Sequence, residues 1–325
     1  MEQILWLRIF KTIVGIVGIL GNGLVCLVIG KVSSMQTRTN AFIFHQAVVD
    51  LLGSLTTLLQ SLVPLPDPLP SNALGWVVCH IWFSNFVIFL LFIISTFNLL
   101  SLTMERYFAI VHPFKYQAAF AKYPRLKVGA VIAACWIIAV VLKSYNLTIF
   151  KVQDGKCVSN AANRSKVIGS LTAVLQYMVP VAVMLFAYIR ISVELKRGAD
   201  RVGPAPSVIS SAAGASNAGN AQPAGMMESL LRARRNTFKM LWIVFITFLV
   251  CWTPNQTIFL MFNLGWKLNF NVDWYYLLSV AMVAANCCVN PVIYAFKYRQ
   301  FRKGLRELFC KQLMHVEETL NSLVV

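Results

Sequence analysis

Seven apolar runs, each about as long as a bilayer is thick, constrain this chain more than any other feature. They lie at roughly residues 9–31, 41–63, 77–108, 127–147, 168–191, 237–262 and 273–296. About 20 apolar residues in a helix cross the hydrocarbon core. A span in lipid must satisfy its own backbone hydrogen bonds, and no alternating barrel-strand pattern is present, so each run predicts a helix. The 325 residues are 58% hydrophobic and 13% charged, against about 25% charged in soluble domains. Too little polar surface exists to solvate a globule of this size. The expected fold is an all-α membrane protein, a seven-transmembrane helix bundle.

The net charge of +17 could suit nucleic acid, anionic lipid or an acidic partner, so the position of the charges decides. They sit between the apolar runs, which excludes a nucleic-acid partner. With the amino terminus outside, 21 of the 29 Lys and Arg fall on the inner side, as the positive-inside bias requires. Arg8, Lys11, Lys143, Lys151, Lys156, Arg164, Lys166 and Lys267 remain outside. The first run continues to Ile29 without a small-x-small cleavage site and contains Asn22, so it is expected to act as an uncleaved signal anchor. The expected organisation is an extracellular segment 1–8, a seven-span domain 9–296 and a cytoplasmic segment 297–325. Within the domain, a third cytoplasmic loop at about 198–230 is expected to be disordered, since Val202 to Gly225 is low in complexity. The expected location is the plasma membrane, as a multi-pass protein.

Polar residues inside lipid are costly and usually functional. Here they are Gly21-Asn22 in the first span, Asp50 in the second, Glu105-Arg106-Tyr107 ending the third and Trp136 in the fourth. Pro180 and Tyr188 follow in the fifth, Cys251-Trp252-Thr253-Pro254 in the sixth, and Asn290-Pro291-Val292-Ile293-Tyr294 in the seventh. Each motif alone is weak. Together, in order and across every span, they resemble the rhodopsin-like G protein-coupled receptors.

That resemblance implies a signal transducer and no enzymatic activity. Glu105 would hold Arg106 until activation frees the guanidinium for a heterotrimeric G protein, with Tyr107 completing the motif. Where many members carry an acid at the start of the sixth span to clasp that arginine, this chain has Arg232, Arg234 and Arg235, so appreciable basal activity is expected. Pro254 and Pro291 each remove a helical hydrogen bond and place a hinge. Trp252 would shift when agonist binds, and Tyr294 would move towards Tyr188. Asp50 with Ser95, Asn286 and Asn290 looks like the family's pocket for an allosteric sodium ion; no other cofactor is implied. Arrestin and receptor kinases are further partners that the family implies.

Of eight cysteines, Cys79 and Cys157 face the oxidising side and are expected to pair. Cys79 lies 27 residues before Arg106, slightly farther than is usual in the family, so a bulge or an extra partial turn is expected there. Asn146 and Asn163 head sequons beside the second outer loop and are glycosylation candidates. After the last span, Phe296, Phe301, Leu305, Leu308 and Phe309 alternate with basic residues. That pattern predicts a short amphipathic eighth helix on the membrane surface, ending at Cys310, a palmitoylation candidate.

Ile88 stands where amine receptors place their aspartate, and Ala284 where opsins carry the retinal lysine, which argues against both ligand classes. The inferred ligand pocket contains Ile88, Phe89, Phe92, Gln176, Trp252, Asn255, Gln256, Phe259 and Tyr276, without internal charge. A mixed aromatic and amide wall suits a neuropeptide; a lipid or other small molecule is the alternative. A seven-span transporter is the reading from a different class. His45, His80, His112 and His315 share no metal spacing, and no catalytic cluster lies at one depth.

Overall fold

The computed structural model describes residues 2–63, 66, 68–148, 150–159, 166–202, 222–267 and 273–310. The seven apolar runs form seven helices long enough to cross a membrane: Leu5–Lys31, Arg38–Leu62, Phe86–Val111, Pro124–Thr148, Lys166–Gly198, Arg234–Leu264 and Trp274–Lys297. The bundle is inverted relative to a soluble protein. Leu20, Ile137, Phe186 and Val250 point outward, while Asn22, Asp50, Asn98, Asn286 and Asn290 are buried. Lipid is the only solvent that accepts this distribution. The first helix packs on the second and seventh, and the third touches the second, fourth and fifth.

Several boundaries differ from expectation. Helix begins at Glu2 rather than near residue 9. Helices Val179–Val202 and Gln222–Leu264 run into the range expected to be linker, and 203–221 lie outside the described residues. The third span is interrupted: a short helix Ala73–Val77 and a π turn Val78–Phe83 end at Asn85, whose φ of 53° is left-handed, before Phe86–Val111 resumes. The long Cys79 to Arg106 spacing is absorbed there.

Cys79 in that π turn is disulfide-bonded to Cys157, with Cα atoms 5.3 Å apart. Cys157 lies on the second strand of a hairpin, Phe150–Gln153 paired with Lys156–Ser159. The two-residue turn is Asp154-Gly155, both with positive φ (51° and 69°), the Asp-Gly signature of a tight hairpin. A further helix over 299–310 follows the seventh span. Phe301, Leu305 and Leu308 pack on the bundle, while Phe296, Phe309 and the thiol-bearing Cys310 are exposed.

Pro291 lacks the N–H that would bond the Cys287 carbonyl one turn back. Asn22 supplies it: its Nδ2 donates to Cys287 O at 2.7 Å. Gly21 lets the helices approach, since a β-carbon there would press on the Pro291 ring. A side chain of the first helix thus replaces a backbone donor of the seventh. Asn22→Ala should therefore cost about 1–3 kcal/mol of stability, read as a lower melting temperature in detergent. Adding Pro291→Ala, which restores the N–H, should recover part of that loss; strictly additive losses would refute the pairing.

Candidate functional site

A cavity lies among the first, second, third, sixth and seventh helices. Ile88, Phe89, Phe92, Trp252, Asn255 and Tyr276 line its walls, and Asp50, Ser95 and Asn286 its floor. The Phe92 and Trp252 rings stack with centroids 3.6 Å apart, so the wall and the proline-bearing sixth helix move together. Three expected contact residues fall outside this wall. Gln176 and Gln256 bond each other at 3.1 Å, which fastens the fifth helix to the sixth, and Phe259 does not reach the cavity. Asn255 donates to Ser279 Oγ at 3.2 Å.

The expectation of a pocket without charge is corrected. Lys11 of the first helix lines the cavity. Lys143, placed from the sequence on the outer side of the membrane, is 5% exposed, with Nζ 4.7 Å from the centre of the Phe89 ring. It lies in the last turn of the helix Pro124–Ser144. The aromatic face offsets part of the desolvation cost, and among the described residues no carboxylate pairs with it.

Beneath the cavity a hydrogen-bond chain links four helices. Trp136 Nε1 donates to His45 Nε2 at 3.0 Å. Indole can only donate, so Nε2 is the acceptor and Nδ1 carries the imidazole proton. That Nδ1 lies 2.9 Å from Asn98 Oδ1. Asn98 Nδ2 donates to Phe42 O at 3.0 Å and to Gln46 Oε1 at 2.8 Å. Gln46 Nε2 donates to Ser95 Oγ at 2.6 Å and to Asp50 Oδ1 at 3.1 Å, while Asn290 Nδ2 donates to Asp50 Oδ2 at 2.8 Å. Every amide orientation follows from the donor at one end and the Phe42 carbonyl near the middle. Reversing one would leave buried donors unpaired, at about 1–3 kcal/mol each. Gln46 was not singled out from the sequence, although it lies one turn before Asp50 on the same helix face.

At the opposite end, Glu105 is buried and Arg106 binds it through two contacts, Nε to Oε2 and the terminal nitrogen to Oε1, both at 2.5 Å. Tyr116 donates its hydroxyl to Glu105 Oε1 at 2.5 Å, and Thr39 donates to Oε2 at 3.4 Å. Burial, and then the bond to Glu105, push the Tyr116 phenol up to about 12, so it remains a donor at physiological pH. Arg38 lies over the Tyr116 ring at 4.6 Å. Tyr116 and Thr39 are partners that motif reading missed, because they come from other segments. A cleft opens beside Arg106, lined also by Arg38, Arg234, Thr237 and Tyr298. Its charge is basic throughout. Tyr298 donates to Asn40 Oδ1 at 2.6 Å, and burial pushes its phenol up to about 12 as well.

Tyr107 packs edge-on against Phe108, with rings 5.3 Å apart. The Tyr188 hydroxyl donates to Leu241 O at 3.2 Å and accepts from Thr103 at 3.3 Å. Tyr294 is fully buried beside Phe301, with ring centres 6.4 Å apart. Pro254 and Pro291 both lie inside their helices. Asn146 lies half-buried in a turn Tyr145–Thr148. Asn163 lies outside the described residues.

The family model described as 7 transmembrane receptor (rhodopsin family) matches residues 21–294. The chain is 27% identical to human neuromedin-U receptor 1 over 313 residues, covering 91% of this chain and 71% of that protein. It is 27% identical to galanin receptor type 2 of Mus musculus, over 92% of this chain and 75% of that one. It is 28% identical to the QRFP-like peptide receptor of Branchiostoma floridae, over 91% and 75%.

The Lys143 geometry is testable without any ligand. Lys143→Met keeps the stem and removes a buried charge that lacks a carboxylate, so the detergent-solubilised protein should gain about 1–4 kcal/mol of stability. A lower melting temperature would show that the ammonium is better compensated than the geometry indicates.

Proposed function

The chain belongs to the rhodopsin family of seven-transmembrane receptors, and from that premise we propose that it binds an extracellular peptide and activates a heterotrimeric G protein at the plasma membrane. The proteins it is similar to carry the names of peptide receptors. The observation that carries the reading is the division of the molecule into two recesses. One is an aromatic and amide cavity floored at Asp50; the other is a basic cleft at Arg106. Phe92 and Arg106 stand on the same helix, so a load on the Phe92–Trp252 stack reaches the cleft through the third and sixth helices.

The cavity chemistry supports a peptide over an amine. Its one acid, Asp50, lies at the floor and is already engaged by Gln46 and Asn290, while the side-chain cation in its wall is Lys11. A ligand bringing an acidic group to Lys11 is favoured by Coulomb attraction in a low-dielectric site. In the cleft, Arg106 is held by Glu105 on its own helix, and Arg234 of the sixth helix repels it. The resting state then depends on Glu105 and its partners, so agonist-free exchange should be readily detected.

The test is nucleotide exchange on G protein mixed with the full-length receptor in nanodiscs, with a peptide library as agonist. Arg106→Ala should abolish agonist-driven exchange while peptide binding persists; retained exchange would overturn the coupling reading, and substrate flux without exchange would favour a transporter. Tyr116→Phe removes one donor from Glu105, worth roughly 1 kcal/mol, and should raise basal exchange about five-fold. A basal rate that is unchanged or lower would mean that Tyr116 does not restrain the resting state.

A further inference from the structure

The family's sodium pocket is an oxygen cage, because hard cations are bound by carboxylate, hydroxyl, carbonyl and water oxygens. The donor set of this chain does not fit one. Asp50 and Ser95, the two side chains such an ion would bridge, are bridged instead by one nitrogen: Gln46 Nε2 lies 3.1 Å from Asp50 Oδ1 and 2.6 Å from Ser95 Oγ. The second Asp50 oxygen accepts from Asn290 Nδ2 at 2.8 Å. Both carboxyl oxygens thus face N–H donors.

A glutamine could in principle turn over and offer its oxygen to an ion. Here that turn is blocked from behind. Gln46 Oε1 is the acceptor for Asn98 Nδ2 at 2.8 Å, and Asn98 cannot reverse in turn. Its Nδ2 also bonds the Phe42 carbonyl, and its Oδ1 receives His45 Nδ1. His45 cannot change tautomer either, because Trp136 donates to its other nitrogen. Turning Gln46 over would set Nε2 against Asn98 Nδ2, two donors in one buried contact. We propose that in this receptor the Gln46 side-chain amide takes the place of the allosteric cation, joining the second helix to the third while Asn290 ties Asp50 to the seventh, so that the resting state does not depend on sodium.

The experiment is thermal melting of the full-length protein in detergent, with sodium chloride exchanged for N-methylglucamine chloride at constant ionic strength. The wild type should melt at the same temperature in both salts. Gln46→Leu, which removes the bridging donor and leaves the two oxygen ligands facing each other, should gain a saturable sodium-specific rise. Asp50→Asn in that background should abolish it. The proposal is overturned by a saturable sodium-specific rise in the wild type that Asp50→Asn removes. It is equally overturned if Gln46→Leu folds but does not respond to sodium, since the amide would then not be what excludes the ion. Should Gln46→Leu fail to fold, the comparison of wild type with Asp50→Asn still decides.

Discussion

The Trp136 indole N–H, which can only donate, fixes the acceptor nitrogen of His45 and so one end of the hydrogen-bond chain that runs from the fourth helix to the seventh. From Trp136 the polarity passes through His45, Asn98 and Gln46 to Asp50. Lipid supplies no water to rescue a reversed amide, so the chain has one satisfied arrangement. The third helix touches the second, fourth and fifth, and these bonds hold it in register with the second at the level where the cavity ends. Aromatic packing above and the Arg106 site below are both referred to that register.

The same scarcity of partners explains the Arg106 end. A guanidinium near lipid must be paired, and no acid meets it from the sixth helix among the described residues. Glu105, one residue before it, takes the whole task, and Tyr116 and Thr39 share the remaining carboxyl capacity. A clasp made by the third helix, the short helix Pro113–Ala119 after it and Thr39 of the second does not tie the sixth helix to the third. That tie comes instead from Phe92 stacked on Trp252, and indirectly from Tyr188 of the fifth helix, which stacks on Phe245 and accepts from Thr103. In the proposed receptor function, outward movement of the sixth helix would slide aromatic contacts rather than break an ion pair.

Much of the fold was legible before any coordinates. Bilayer length and apolarity named seven helices, and oxidative compartment with family resemblance named the Cys79–Cys157 pair. Motif reading identified Asp50, Glu105, Arg106, Trp252 and Pro291 as positions where a polar or helix-breaking residue in lipid needs a reason. What it missed shares one trait. Gln46, Thr39, Tyr116 and Lys143 matter through partners on other segments, Lys143 through the Phe89 ring of the third helix.

The sequence by itself determined that this chain crosses a membrane seven times and which residues are too polar to be there by default, because hydropathy and composition are properties of local stretches. Only the tertiary structure decided which polar groups satisfy one another. Whether a nitrogen or a cation stands between Asp50 and Ser95 depends on where the Gln46 amide is turned. That orientation is imposed by neighbours up to 90 residues away through Trp136 and His45, since hydrogen-bond direction is a property of the assembled network and of no single segment.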